Sequence, residues 1–255
     1  MSAIDLATDM ALALDPARLL IRMGLTPDPW QSDLLRSEAA RILLNCSRQS
    51  GKSTVTGALA MWEALYRPPA LVLLLSPSLR QSQELFRKVL DAYRALGKPA
   101  PAEAESALRL ELRNGSRIIS LPGKDATVRG YSGVRLLIID EASRVLDDLY
   151  RSVRPMLAVS GGRLVALSTP FGKRGWWFKE YTEGGVGWER VAVTADDCPR
   201  IPQEFLEEER VSLGPWFFQQ EYMCVFGETI DSLFSYEQVM GALSDEVKPL
   251  FCVGV

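Results

Sequence analysis

The chain has 255 residues, a formal net charge of −3 and no histidine; that is room for one large α/β domain, without an imidazole base or a Ser-His-Asp triad. Nearly half of the residues are apolar and about a quarter charged, the make-up of a soluble globular protein, so any nucleic-acid contact must come from local basic patches. Cys46, Cys198, Cys224 and Cys252 are scattered with no C-x-x-C pair, which argues against structural zinc and fits a reduced, intracellular compartment.

In chain order, MSAIDLATDMALALD carries acids and no basic cluster, so it predicts an amphipathic helix and not a signal peptide. No apolar run reaches membrane-spanning length. RILLNCS (41–47) predicts a buried strand, followed by a helix from about Lys52 to Leu65 that Pro68-Pro69 ends. ALVLLLS (70–76) is a second strand, and apolar residues at helical spacing predict a helix over 78–96. LRLELR and SRIISL alternate in polarity around Asn114-Gly115 and predict a hairpin. RLLIID (135–140) and RLVALST (163–169) are further buried strands, and WERVAVT (188–194) adds another. Continuous apolar strands separated by helices predict a mainly parallel sheet covered on both faces. A helical segment rich in Glu and aromatics fills 202–226, and the polar stretch 227–248 reads as a linker into the strand-like FCVGV.

Two elements carry chemistry. CSRQSGKST (46–54) has the second half of the phosphate loop G-x-x-x-x-G-K-[ST], with Cys46 where the first glycine is usual. A strand, a tight loop and a helix start aim backbone N–H groups and a positive helix end at one spot. Gly51 allows close approach, Lys52 reaches the β- and γ-phosphates, and the Ser53 hydroxyl can ligate Mg2+; Arg48, Gln49, Ser50 and Thr54 complete the expected nucleotide contacts. RLLIIDEAS places Asp140 and Glu141 at the end of an apolar strand, where Asp140 can hold the Mg2+ shell and Glu141 can orient and deprotonate water. Together the two elements predict ATP hydrolysis.

Other signals admit two readings. In DPWQSDLL (28–35) the Gln31 amide can read an adenine edge or close a helix cap. Ser168 and Thr169 before Pro170 can sense the γ-phosphate or simply end a strand. Lys173 and Arg174 in a glycine-bounded loop, and Arg109, Arg113 and Arg117 on the hairpin, suit sequence-independent contacts to DNA phosphates. The bland alternatives are a solvated hairpin face and a core cluster of Trp176, Trp177 and Phe178.

The segments WQ (30–31), SRQSGKST (47–54), RGYSG (129–133), LLIIDEAS (136–143), LSTPFGKRGWWF (167–178) and FFQQEYMCVF (217–226) stand in this order. Together they resemble the ATPase part of the large terminase subunit, the DNA-packaging motor of tailed bacteriophages. The resemblance implies a P-loop NTPase of the ASCE/RecA-like type with a small helical lid at about 195–226. It implies ATP and Mg2+ as cofactors, and double-stranded DNA, a homo-oligomeric ring on the capsid portal and a small terminase subunit as partners. Action in the host cytoplasm, away from any membrane, follows from the same likeness. Carried over by residue, Gln31 reads adenine, Lys52 and Ser53 bind phosphate and metal, Asp140 is the metal ligand, Glu141 the catalytic base, and Ser168–Thr169–Pro170 the coupling motif. Arg129 resembles an arginine finger inserted into the neighbouring subunit's site, worth roughly 10³–10⁵ in rate; Arg48, acting in cis, is its competitor.

Residues 1–226 are thus expected to form the ATPase domain, and 227–255 a linker and the start of an absent nuclease domain. Two rivals remain. A superfamily-two helicase or translocase needs a second RecA-like domain for which 255 residues leave no room. A non-catalytic, nucleotide-dependent scaffold would not need Glu141.

Overall fold

The structure, a computed structural model, describes residues 6–123, 130–228 and 236–242. Three helices come first, α1 (Leu6–Leu14), α2 (Arg18–Arg22) and α3 (Pro29–Arg36). Then follow β1 (Arg41–Cys46), α4 (Lys52–Tyr66), β2 (Leu71–Ser76) and α5 (Leu79–Ala95). Three strands run in succession, β3 (Ala102–Glu105), β4 (Arg109–Leu112) and β5 (Arg117–Pro122), before β6 (Val134–Asp140). The remainder comprises α6 (Asp147–Val153), β7 (Arg163–Ser168), α7 (Gly175–Thr182), β8 (Glu189–Val193), α8 (Gln203–Glu221) and α9 (Tyr236–Ala242).

Among the described residues the eight strands join one sheet in the order β3-β4-β5-β2-β6-β7-β1-β8. β5, β2, β6, β7, β1 and β8 are parallel, and β4 and β3 add antiparallel at one edge. Alternate residues of each central strand face opposite sides. Ile42, Leu44, Val72, Leu74, Leu136, Ile138, Val165 and Leu167 enter the core beneath α1 to α5. Leu43, Leu73, Leu137, Ile139 and Ala166 enter a second core with Trp176 and Trp177 of α7 and Tyr150 of α6. Both faces being covered, these strands carry apolar residues at nearly every position.

α4 packs on the sheet and is flanked by α5, α2 and α3, so every residue from Val55 to Ala64 is buried, as expected for a helix without a solvent face. Ser78 caps α5 by accepting from the Gln81 N–H at 3.3 Å. α8 bends where Gly214 (φ 74°) meets Pro215, because proline cannot continue the helical hydrogen bonds. Ala195, Leu206, Phe218 and Tyr222 form a small separate core.

The strand order sets up the site. β7 lies between β1, which feeds the phosphate loop, and β6, which ends in Asp140. Asn45 pairs with Ser168 and Asp140 with Leu167, so the three strand ends reach one level. The aromatic run 176–178 is the core cluster that the sequence favoured for the tryptophans, with Trp177 only 1% exposed. Two expectations need adjustment. The hairpin is β4–β5, but β3 extends it into a three-stranded edge. The stretch expected as linker contains helix α9; FCVGV lies outside the described residues. No helix among the described residues is long and apolar enough to cross a membrane.

Candidate active site

The loop between β1 and α4 is held from behind. The Ser47 N–H donates to the Val193 carbonyl at 2.8 Å, and the Arg48 N–H to the Glu221 carbonyl at 3.0 Å. The Ser50 hydroxyl donates to the Ser47 carbonyl at 3.0 Å. The Ser50 carbonyl accepts from Arg200 at 2.8 Å and from Gln31 Nε2 at 3.4 Å. Gln49 (φ 59°) and Gly51 (φ 86°) are both left-handed, a backbone form that turns N–H groups toward an anion. At Gly51 the left-handed backbone favours glycine, and an added Cβ would also press on Gln31 Nε2 at 2.8 Å and on the Arg200 guanidinium at 3.1 Å. α4 starts immediately after, which adds its positive end.

In front of the loop is a cleft of about 700 Å³, large enough for a nucleotide. Arg48, Gln49, Gly51, Lys52, Ser53 and Thr54 line one side, Gln81 and Lys88 of α5 another, and Glu141, Arg144 and Thr169 the third. Lys52 Nζ stands 3.8 Å from Glu141 Oε1 across it. Glu141 itself is left-handed (φ 49°, ψ 44°), a conformation that costs a non-glycine residue about 1–3 kcal/mol and concentrates at functional sites. Its N–H donates to Asp140 Oδ1 at 3.0 Å.

Asp140 is 6% exposed and does not itself line the cleft; the cleft-lining Ser53 donates its hydroxyl to Asp140 Oδ2 at 3.4 Å. Burial first, and then the Glu141 carboxylate, push its carboxyl up to about 6, against the opposing pull of Lys52. A hydroxyl and a carboxylate are hard oxygen donors that suit Mg2+, whose neighbouring ligands stand about 3 Å apart. Ser53 and Asp140 meet that spacing with little movement and therefore fit the ion. Among the described residues no group of three or more His, Cys, Asp or Glu is gathered for a metal, so the remaining ligands would be phosphate oxygens and water, as is usual for Mg2+.

Not every expected residue lines the cleft. Gln31 is 4% exposed and closes the α3 capping box, its Oε1 accepting from the Asp28 N–H at 3.0 Å. Ser50 is fully buried behind the loop. Arg48 does line the cleft, but its guanidinium is engaged by Glu221, with Nε 2.5 Å from Oε2. Ser168 is buried, its Oγ 2.7 Å from Ser143 Oγ, while Thr169 reaches the cleft and Pro170 is buried beside it. Lys173 is ion-paired with Glu228 at 2.8 Å and also with Glu237, and Arg174 rests 4.6 Å from the centre of the Phe171 ring. Arg113 and Arg117 lie at the end of the sheet opposite the cleft, and Arg109 is engaged by Glu111 at 2.8 Å. Arg129 lies outside the described residues.

Sequence reasoning missed four side chains here. Ser143, two residues after Glu141, ties the turn to β7 by bonding Ser168, a contact that no local pattern announces. Arg144 follows it into the cleft, as does Lys88 from α5. Arg200 bridges Ser50 and Asp28, at 2.8 and 2.7 Å; it is far from both in the chain and no local pattern announces it.

The chain matches, over residues 43–239, the family described as terminase large subunit, T4likevirus-type, N-terminal. It is 28% identical over 240 residues to the large terminase subunit of Escherichia phage T5, covering 87% of this chain and 53% of that protein. It spans about half the length of the curated relatives it matches. Among solved structures, the large terminase ATPase domain of Thermus phage P74-26 has a similar fold, with a TM-score of 0.72 at 22% identity over 82% of this chain and 98% of that one. The large terminase of a thermophilic bacteriophage in complex with ATP-gamma-S gives 0.61 at 14% identity over 78% of this chain and 52% of that one. The family match extends from the first core strand to beyond α8, so the chain belongs to the terminase large subunit family and carries its N-terminal region.

Proposed function

We propose that the cleft binds MgATP and hydrolyses it, and that a ring of these subunits on a capsid portal uses the hydrolysis to drive double-stranded DNA into a procapsid. The observation that carries the reading is Glu141, held in a left-handed conformation 3.8 Å from Lys52 above the Asp140–Ser53 pair. The thermophilic-phage terminase in complex with ATP-gamma-S supports a nucleotide in the corresponding cleft. Loop N–H groups and Lys52 bind the phosphates, and Ser53 and Asp140 hold the metal. Bound there, Mg2+ supplies charge neutralisation to the β- and γ-phosphates. Glu141 orients the attacking water and takes its proton.

The finer assignments belong to the same proposal. The Gln31 amide keeps one N–H and one lone pair beyond its cap and loop bonds, which adenine can use. Ser168, Thr169 and Pro170 couple the cleft to the loop carrying Lys173 and Arg174, with Arg174 the freer of the two for DNA because Lys173 is already paired. Arg129 serves as the finger for the next subunit, and residues 195–226 form a lid attached to the phosphate loop through Arg48–Glu221. A small terminase subunit is the further partner.

Phosphate release from MgATP tests the reading. The chain should hydrolyse ATP, and Lys52→Ala should abolish both hydrolysis and tight ATP-gamma-S binding. Equal turnover by the Lys52→Ala variant would place hydrolysis elsewhere.

A further inference from the structure

The sequence offers two arginines for the terminal phosphate. Arg48 is occupied by Glu221, and Arg129 lies outside the described residues. A third arginine stands in the cleft without a carboxylate partner among the described residues. Arg144 lines the cleft with Lys52, Glu141 and Thr169. It ends the turn Ala142–Arg144 that directly follows Glu141, and its N–H donates to the Glu141 carbonyl at 2.9 Å. One tight turn therefore fixes its backbone relative to the acid.

The guanidinium is poised. Arg151, Arg154 and Arg163 each meet a carboxylate, whereas among the described residues Arg144 has none. What it touches is the Phe171 ring, 4.2 Å from the ring centre. Arg174 packs on the same ring at 4.6 Å. A cation on an aromatic face is held more weakly than one on a phosphate oxygen, where charge-assisted and bidentate bonds form. A phosphate entering beside Lys52 therefore offers Arg144 a stronger partner than the one it has. Phe171 directly follows Ser168–Thr169–Pro170, so the ring connects this arginine to the loop of Lys173 and Arg174.

We propose that Arg144 contacts the terminal phosphate of ATP from within the same subunit, and that Phe171 links this contact to the loop 171–174. The proposal rests on the reading of the cleft as a MgATP site. An arginine on the terminal phosphate strengthens ATP over ADP, because ADP lacks the group it binds. It also stabilises the charge that builds on that group during transfer.

The test uses the whole 255-residue chain with Mg2+. Calorimetric titration with ATP-gamma-S and with ADP is run beside steady-state phosphate release for wild type, Arg144→Ala, Arg144→Lys and Phe171→Leu. For Arg144→Ala we expect ATP-gamma-S affinity about tenfold weaker or more, ADP affinity within about twofold of wild type, and kcat at least about tenfold lower. Arg144→Lys should recover part of both losses, since it keeps the charge but not the planar fork. Phe171→Leu should keep the preference for ATP-gamma-S, because the guanidinium remains. Equal weakening of both nucleotides in Arg144→Ala, or full reproduction of its behaviour by Phe171→Leu, would mean a packing role and overturn the proposal. A wild type that hydrolyses ATP alongside an unaffected Arg144→Ala would overturn it while leaving the ATPase reading intact. A wild type that binds neither nucleotide would remove that reading itself, and this proposal with it.

Discussion

Cys46 stands where the usual phosphate loop has its first glycine, and its backbone explains the exchange. It is the last residue of β1, paired with Val193 of β8 and fully buried, so no left-handed conformation is needed and a small side chain fills the core. The positions that do need unusual backbone are Gln49 and Gly51, and the glycine is kept where a Cβ would collide. Asp140, the proposed metal ligand, shows the cost of placing a carboxylate in a core. An acid whose pKa is raised by folding destabilises the fold wherever it is ionised. The rise from 3.8 to about 6 amounts to up to about 3 kcal/mol. That penalty is full above pH 6 and fades as the pH falls toward 3.8. Asp140→Asn should therefore raise the Tm of the metal-free protein at pH 7.5 and lose that advantage by pH 4, by thermal melts in chelator. A variant less stable than wild type at pH 7.5 would show that Lys52 and the hydrogen bonds already compensate the charge.

At the scale of elements, the site depends on how closely α4 and α5 approach. A Cβ at Gly57 would lie 2.9 Å from Lys88 Cβ and 3.1 Å from the Lys88 carbonyl carbon. Gly57→Ala gains about 1 kcal/mol in helix propensity but overpacks against backbone, typically costing about 1–3 kcal/mol. We expect a lower Tm and weaker ATP-gamma-S binding, since Lys88 lines the cleft; a raised Tm would show that α5 yields freely. The strands and long helices around this contact were legible because their apolar periods are strong. β3 was not. Its AEAE sequence has poor strand formers, and three of its four residues are exposed, so it exists through pairing with β4 and not through burial. The phosphate loop and the acidic pair were equally legible, being contiguous. Arg200 reaching Ser50, Glu221 engaging Arg48 and Ser143 meeting Ser168 are products of chain crossings that no local window contains. The Gln31 cap illustrates the middle case, where one sequence pattern fitted two roles and the described contacts display the cap.

Across the whole molecule, one sheet places the phosphate loop, the acidic pair and the coupling strand at the carboxyl ends of adjacent parallel strands. Open parallel sheets generally bind ligands there. The basic hairpin turn at Arg113 and Arg117 is at the opposite end, which leaves, among the described residues, the loop 171–174 as the basic loop beside the cleft. If a neighbouring subunit completes the site through Arg129, specific activity should rise steeply with protein concentration, whereas a self-sufficient cis site would give a flat response. The most direct measurement is phosphate release from MgATP by wild type and Glu141→Gln over a series of protein concentrations, with ATP-gamma-S affinity measured in parallel. Near-wild-type binding by Glu141→Gln, with turnover reduced by about 10²-fold or more, is the predicted result. Turnover by Glu141→Gln equal to wild type would contradict the account.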